Sequence, residues 1–125
     1  MKKAIALLLA LVMVFALCAC GGGDKGTADN GEKVVKIGVF EPASGDSGAG
    51  GKKEMLGMQY ANQETPTVEI GGETYKVELV YSDNGSDSAK AVSAASKLVN
   101  EKVSLVLGSY GSGVSIAASD TFKQA

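Results

Sequence analysis

The 125-residue chain has no histidine, no arginine and no tryptophan, and only two cysteines and two prolines. Without histidine it lacks the commonest general base and metal ligand, which argues against hydrolytic and zinc chemistry. Its cationic side chains are all lysines, spread singly or in pairs. Nucleic-acid binding needs clustered basic groups against phosphates, so nucleic acid is excluded as a partner. Cys18 and Cys20 both stand near the N-terminus, so the rest of the chain has no disulfide to form. Beyond the first twenty residues no apolar run is long enough to span a bilayer, which takes about 20 residues.

What is present begins with an address. Lys2 and Lys3 precede an uninterrupted apolar run, Ala4 to Ala16, which closes on Leu17-Cys18-Ala19-Cys20 and a Gly triplet. Basic, apolar, then small is the layout of a secretory signal. Leu17-x-Ala19-Cys20 resembles a bacterial lipobox, in which the cysteine after a small residue is lipidated. Cys18 fits worse, because bulky Leu17 would sit where a small side chain is wanted. Residues 1–19 are therefore read as a lipoprotein signal peptide with Cys20 as the lipid attachment site. Residues 20–32, rich in Gly, Asp and Asn with nothing to bury, read as a flexible tether. The expected setting is extracytoplasmic, with membrane contact only through the lipid anchor.

The folded part starts at Lys33 and its patterning alternates. Val34 to Phe40 is a short β-branched run that predicts a buried strand. Residues 42–51 read as a Gly/Ser loop, and 52–62 as a helix with Met55, Met58 and Asn62 on one face. Thr65-Pro66 ends that helix. Thr67 to Ile70 and Tyr75 to Tyr81 predict a hairpin joined at Gly71-Gly72. After the polar turn 82–88, Val92, Ala95 and Val99, flanked by Ala91 and Leu98, form an apolar stripe at helical spacing. Val103 to Leu107 predicts a further strand, 108–113 a loop, and a last helix starts near Val114. Strands alternating with helices predict an α/β fold: a mostly parallel sheet with helices on both faces. That last helix reaches Ala125 with no cap or stop signal, so the expected domain is incomplete.

Two Gly-rich loops follow strands, yet neither fits a nucleotide fingerprint. A Walker loop would need glycine at Asp46 and a hydroxyl at Lys53, and a dinucleotide loop would need glycine at Ile116. No cofactor is implied. Ser112 or Ser115 as a nucleophile would lack both a histidine base and a Gly-x-Ser-x-Gly elbow, so no enzyme is expected. Gly111-Ser112-Gly113 reads better as a polar cradle, because amides at a helix start together with hydroxyls attract a carboxylate. Asp83 and Asp87 lack the alternation and closing Glu of a calcium loop, and are expected to cap the next helix.

Taken in order, these pieces resemble the N-terminal part of a type I periplasmic-type solute-binding protein of the leucine/isoleucine/valine-binding family. They are Lys36-Ile37-Gly38-Val39, then Pro42-x-Ser44-Gly45, then Val77 to Tyr81 with Asp83. Ala91-Val92-x-x-Ala95, Leu98-Val99 and Val106-Leu107-Gly108 follow, ahead of Ser112, Ser115 and Ala118-Ser119-Asp120. The resemblance implies a Rossmann-like lobe, here partial over 33–125, of the substrate-binding component of an ABC importer. Its partners would be a small amino acid or amide and the permease subunits. It also implies that the ligand carboxylate meets Ser112 and Gly113, with Ser115, Tyr110 and Ser44 as further ligand-side residues. Members often place an aromatic residue near Gly50, where this chain has only Gly and Ala, so Tyr110 is the candidate aromatic wall. Such a half-site implies negligible affinity for residues 33–125 alone. The same fold also serves extracellular sensor domains, which loss of signalling rather than uptake on deletion would reveal.

Overall fold

The computed structural model describes residues 31–125, whose compact unit is Glu32–Ala125. The expected signal peptide, Cys20 and the expected tether up to residue 30 lie outside the described residues. The elements run β1 (Val34–Phe40), α1 (Gly48–Glu64), β2 (Thr67–Ile70), β3 (Glu73–Tyr81), α2 (Ser88–Asn100), β4 (Leu105–Gly108) and α3 (Ser112–Lys123). They build a four-stranded sheet in the order β2-β3-β1-β4. β1 pairs in parallel with β3 (Ile37 opposite Leu79) and with β4 (Gly38 opposite Val106). β2 joins antiparallel at the edge through the expected hairpin.

Because strand side chains alternate, the sheet has two apolar faces. One carries Phe40, Val80 and Val106 beneath α2 and α3, where Ala91, Ala94, Ala95, Leu98, Val114 and Ala118 complete the core. Phe40 and Phe122 meet edge to face with centroids 5.4 Å apart, a favoured aromatic geometry. The other face carries Ile37, Leu79, Leu105 and Leu107 under α1, with an open apolar groove of about 750 Å³ alongside Met58 and Ala61. The expected mostly parallel sheet with helices on both faces is what forms.

Several details differ from the sequence expectation, among them β3 starting at Glu73 and α3 at Ser112, each two residues early. α1 begins at Gly48, four residues before its expected start. The Gly-rich stretch that reads as a loop is the first helical turn, and it is glycine because the chain passes close by: a Cβ on Gly51 would lie 2.2 Å from the Pro42 carbonyl oxygen. On α2 the buried stripe runs through Ala94 in place of Val92, which is exposed. β4 starts at Leu105 because Lys102 turns the chain with φ 57°, and Val103 packs on the core from that turn. Met55, Met58 and Asn62 do form the inward face of α1, half-buried while Leu56 and Tyr60 stay exposed.

Candidate functional site

In an open parallel sheet the crevice forms where neighbouring strands send their connections to opposite faces. β1 leads into α1 on one face, and β4 leads into α3 on the other. The carboxyl ends of β1, β3 and β4 therefore gather three loops: 41–47, 82–87 and 109–111.

Asn84 knits them together. It is completely buried, and its side-chain amide donates to the Phe40 carbonyl at 2.9 Å and the Ser109 carbonyl at 3.2 Å. Its Oδ1 accepts the Ser86 amide at 3.0 Å. One amide thus ties the ends of β1 and β4 to the third loop. Gly108 makes the same closure sterically possible. Its φ is 136°, a region L side chains rarely adopt, and a Cβ there would lie 2.3 Å from the Phe40 carbonyl oxygen.

Asp83 is the second knot. Its carboxylate accepts the amides of Ala43 (2.8 Å), Ser44 (3.3 Å) and Gly85 (2.9 Å), the Ser44 hydroxyl (2.6 Å) and the Lys90 ammonium (2.9 Å). Burial by itself would raise its pKa. The hydrogen bonds from Lys90, Ser44, Ala43 and Gly85 outweigh burial and hold the carboxyl well below the usual carboxylate range. Asp83 is therefore a clasp between loops, and the expectation that it caps α2 is corrected. Asp87 fills that role by accepting the Lys90 amide at 2.7 Å.

Glu41 lies behind the loops. It follows β1, is 1% exposed, and its Oε2 has no hydrogen-bond partner. Burial, then the charge of Glu54 on α1 and a hydrogen bond to it, push its carboxyl up to about 7.

In front of these knots is a pocket of about 280 Å³, lined by Pro42, Ser47, Ser86, Ser88, residues 109–113 and Val114. Five of its lining residues are serines, and none is charged. It opens on the start of α3, whose N-cap is Gly111, with neither a side-chain cap nor an acidic residue in its first turn. The first amides of a helix have no intrahelical acceptor, so those of Ser112, Gly113 and Val114 are available to an anion.

Of the residues singled out from sequence, Ser112, Gly113 and Tyr110 line this pocket together. Ser115 turns behind the loop, where its hydroxyl meets that of Ser109 at 2.6 Å and donates to the Gly111 carbonyl. Ser44 belongs to the Asp83 clasp. Tyr110 has φ 62°, which costs a bulky residue about 1–3 kcal/mol. The sequence reading missed Glu41, Asn84 and Ser109, all buried, and Ser47, Ser86 and Ser88 in the pocket wall. Among the described residues no cluster of three or more acidic, histidine or cysteine side chains could hold a metal. No helix there is long and apolar enough to cross a membrane.

Residues 34–125 match the family model described as periplasmic binding protein. The Leu/Ile/Val-binding protein homolog 2 of Brucella abortus is 33% identical over 113 residues, covering 90% of this chain and 28% of that protein. A leucine-binding protein, LivK, from Thermotoga maritima superposes with a TM-score of 0.65 at 36% identity, over 73% of this chain and 25% of its own. LivJ of Streptococcus pneumoniae, the substrate-binding protein of a branched-chain amino acid transporter solved with isoleucine, gives 0.63 at 33% identity, over 74% and 26%. The chain thus spans about a quarter of the length of the relatives it matches.

Proposed function

Because the chain belongs to the periplasmic binding protein family, we propose that it supplies one wall of the ligand site of an extracytoplasmic substrate-binding protein. The ligand is a small amino acid, branched-chain or similar, delivered to an ABC importer. The observation that carries this reading is the serine-lined pocket opening on the uncapped start of α3, at the crevice between β1 and β4. That place supplies free amides, hydroxyls and a helix dipole, all favouring a carboxylate.

The site binds its ligand without chemistry, in keeping with the binding-protein family to which the chain belongs. Ser112, Gly113 and Tyr110 face the ligand, whereas Ser115 and Ser44 position the loops. Binding acts by favouring one arrangement of the protein over another, and the permease subunits read that arrangement. Cys20 carries the lipid that anchors the protein outside the membrane, with residues 1–19 as the signal segment.

Calorimetric titration of the whole protein with L-leucine and L-isoleucine tests the reading. Saturable binding is expected, weakened about tenfold by Ser112→Ala through loss of one hydrogen bond to a charged group. Binding that Ser112→Ala leaves unchanged would contradict the assignment of this pocket.

A further inference from the structure

Asn84 is followed by Gly85. Asparagine is chemically labile, and most so before glycine, where no side chain hinders the next backbone nitrogen from reaching its Cγ. The fold demands both residues. Gly85 has φ 65°, and a Cβ on it would lie 2.7 Å from Cδ of Lys90. Asn84 is completely buried, and its Nδ2 is the donor to both the Phe40 and Ser109 carbonyls. Aspartate has the same shape and cannot make those two bonds.

In the native loops the reacting groups are held apart. Three hydrogen bonds fix the Asn84 side chain, to Phe40, Ser109 and the Ser86 amide. The Gly85 nitrogen is held as well, since its N–H donates to Asp83 Oδ1 at 2.9 Å. Attack requires that nitrogen to lose its proton and turn onto Cγ, which breaks all of these bonds. Asp83 is a poor base for the step: despite its burial, the hydrogen bonds from Lys90 and Ser44 hold its carboxyl well below the usual range.

We infer that Asn84-Gly85 is a conditional deamidation site, closed while the three loops stay together and reactive once they part, whose product cannot rebuild the crevice. The inference holds whatever ligand the crevice takes. In the open chain the Gly85 nitrogen bonds to Asn84 Cγ. Its proton and the Nδ2 group leave together as ammonia, and a succinimide remains. Water then opens either ring carbonyl, giving aspartate or isoaspartate at residue 84. Neither product carries Nδ2, so the Phe40 and Ser109 carbonyls lose their donor and face a carboxylate oxygen instead. Isoaspartate also lengthens the main chain by one carbon. Time spent unfolded is thereby turned into irreversible loss of the native state.

The test incubates the whole protein at pH 8, native and in guanidinium chloride, and maps aspartate and isoaspartate by peptide mass spectrometry. A second such pair, Asn30-Gly31, is an internal reference in denaturant. There residues 84 and 30 should convert at similar rates, and Gly85→Ala should slow residue 84 alone. In the native protein residue 84 should convert at least about tenfold more slowly, because reaction waits on opening. Equal conversion in both conditions would overturn the protection, and conversion indifferent to Gly85→Ala would overturn the cyclisation route. On dilution from denaturant, the fraction regaining the native circular dichroism should fall in step with conversion at 84, in Asn30→Gln protein as in the wild type. Asn84→Asp, which installs the product directly, should lower the unfolding midpoint or fail to fold. Converted chains that refold fully, or Asn84→Asp protein as stable as the wild type, would overturn the consequence drawn for the crevice.

Discussion

Replacing Glu41 with glutamine should stabilise the fold at pH 8 and remove most of its pH dependence between pH 5 and 8. The wild-type carboxyl is buried, one oxygen is unpartnered, and Glu54 lies beside it. Burial first, then Glu54, raise its folded pKa from 4.5 to about 7. A raised folded pKa contributes stability that is fully present below the unfolded value of 4.5. That contribution is lost as pH rises through 7, where the folded state must hold a buried charge. At about 1.4 kcal/mol per unit, the loss approaches about 3 kcal/mol by pH 8. Urea unfolding at several pH values measures it. The wild type should lose stability from pH 5 to 8 while Glu41→Gln stays nearly flat; parallel profiles would mean that Glu41 finds a partner or solvent when ionised.

Asp83→Ala should be among the most damaging single substitutions, costing about 2–4 kcal/mol. Five donors converge on this carboxylate, and hydrogen bonds to a charged acceptor are worth about 1.5–3 kcal/mol each, though not additively. Removal leaves the amides of Ala43 and Gly85 and the half-buried ends of two loops without their acceptor. The sign of the pH effect is opposite to that of Glu41. A depressed folded pKa gives stability that is present above the unfolded value of 3.8 and is lost as pH falls below it. The two carboxyls therefore act in opposite directions: the Asp83 contribution is lost as pH falls below 3.8 and the Glu41 contribution as pH rises from 4.5 toward 7. Asp83→Ala should flatten the acid limb of the unfolding profile, and an acid limb as steep as the wild type's would show that other carboxylates cause it.

Local patterning carried much of the fold. β1, the hairpin, α2 and the alternation of strands and helices were legible because each rests on spacing within a few residues. What was not legible depends on close approach or long-range closure. The stretch 48–51 read as a loop because the need for glycine at Gly50 and Gly51 comes from Tyr110 and Pro42, which no local pattern exposes. Val92 drew the apolar stripe one position aside, although small Ala94 is what fits beneath the loops, where the Ser82 hydroxyl bonds its carbonyl. Asp83 looked like a cap because Asp and Ser cluster before α2, while its partner Ser44 stands 39 positions away. Ser112 and Gly113 were singled out from strand, loop and helix start and Tyr110 from the family resemblance, and the structure brings the three to one pocket. Asn84 and Glu41 were not singled out, since a buried polar group is recognisable only once the chain segments that bury it are known.

The most direct test of the carboxylate cradle is an amide chemical-shift titration of the whole isotopically labelled protein with L-leucine and, separately, with leucinamide. Both ligands have the same side chain and amino group, and only leucine bears the carboxylate. The geometry at the start of α3 requires the amides of Ser112, Gly113 and Val114 to move with leucine and to stay in place with leucinamide. Equal displacement by both ligands, or displacement confined to residues away from the three loops, would contradict it.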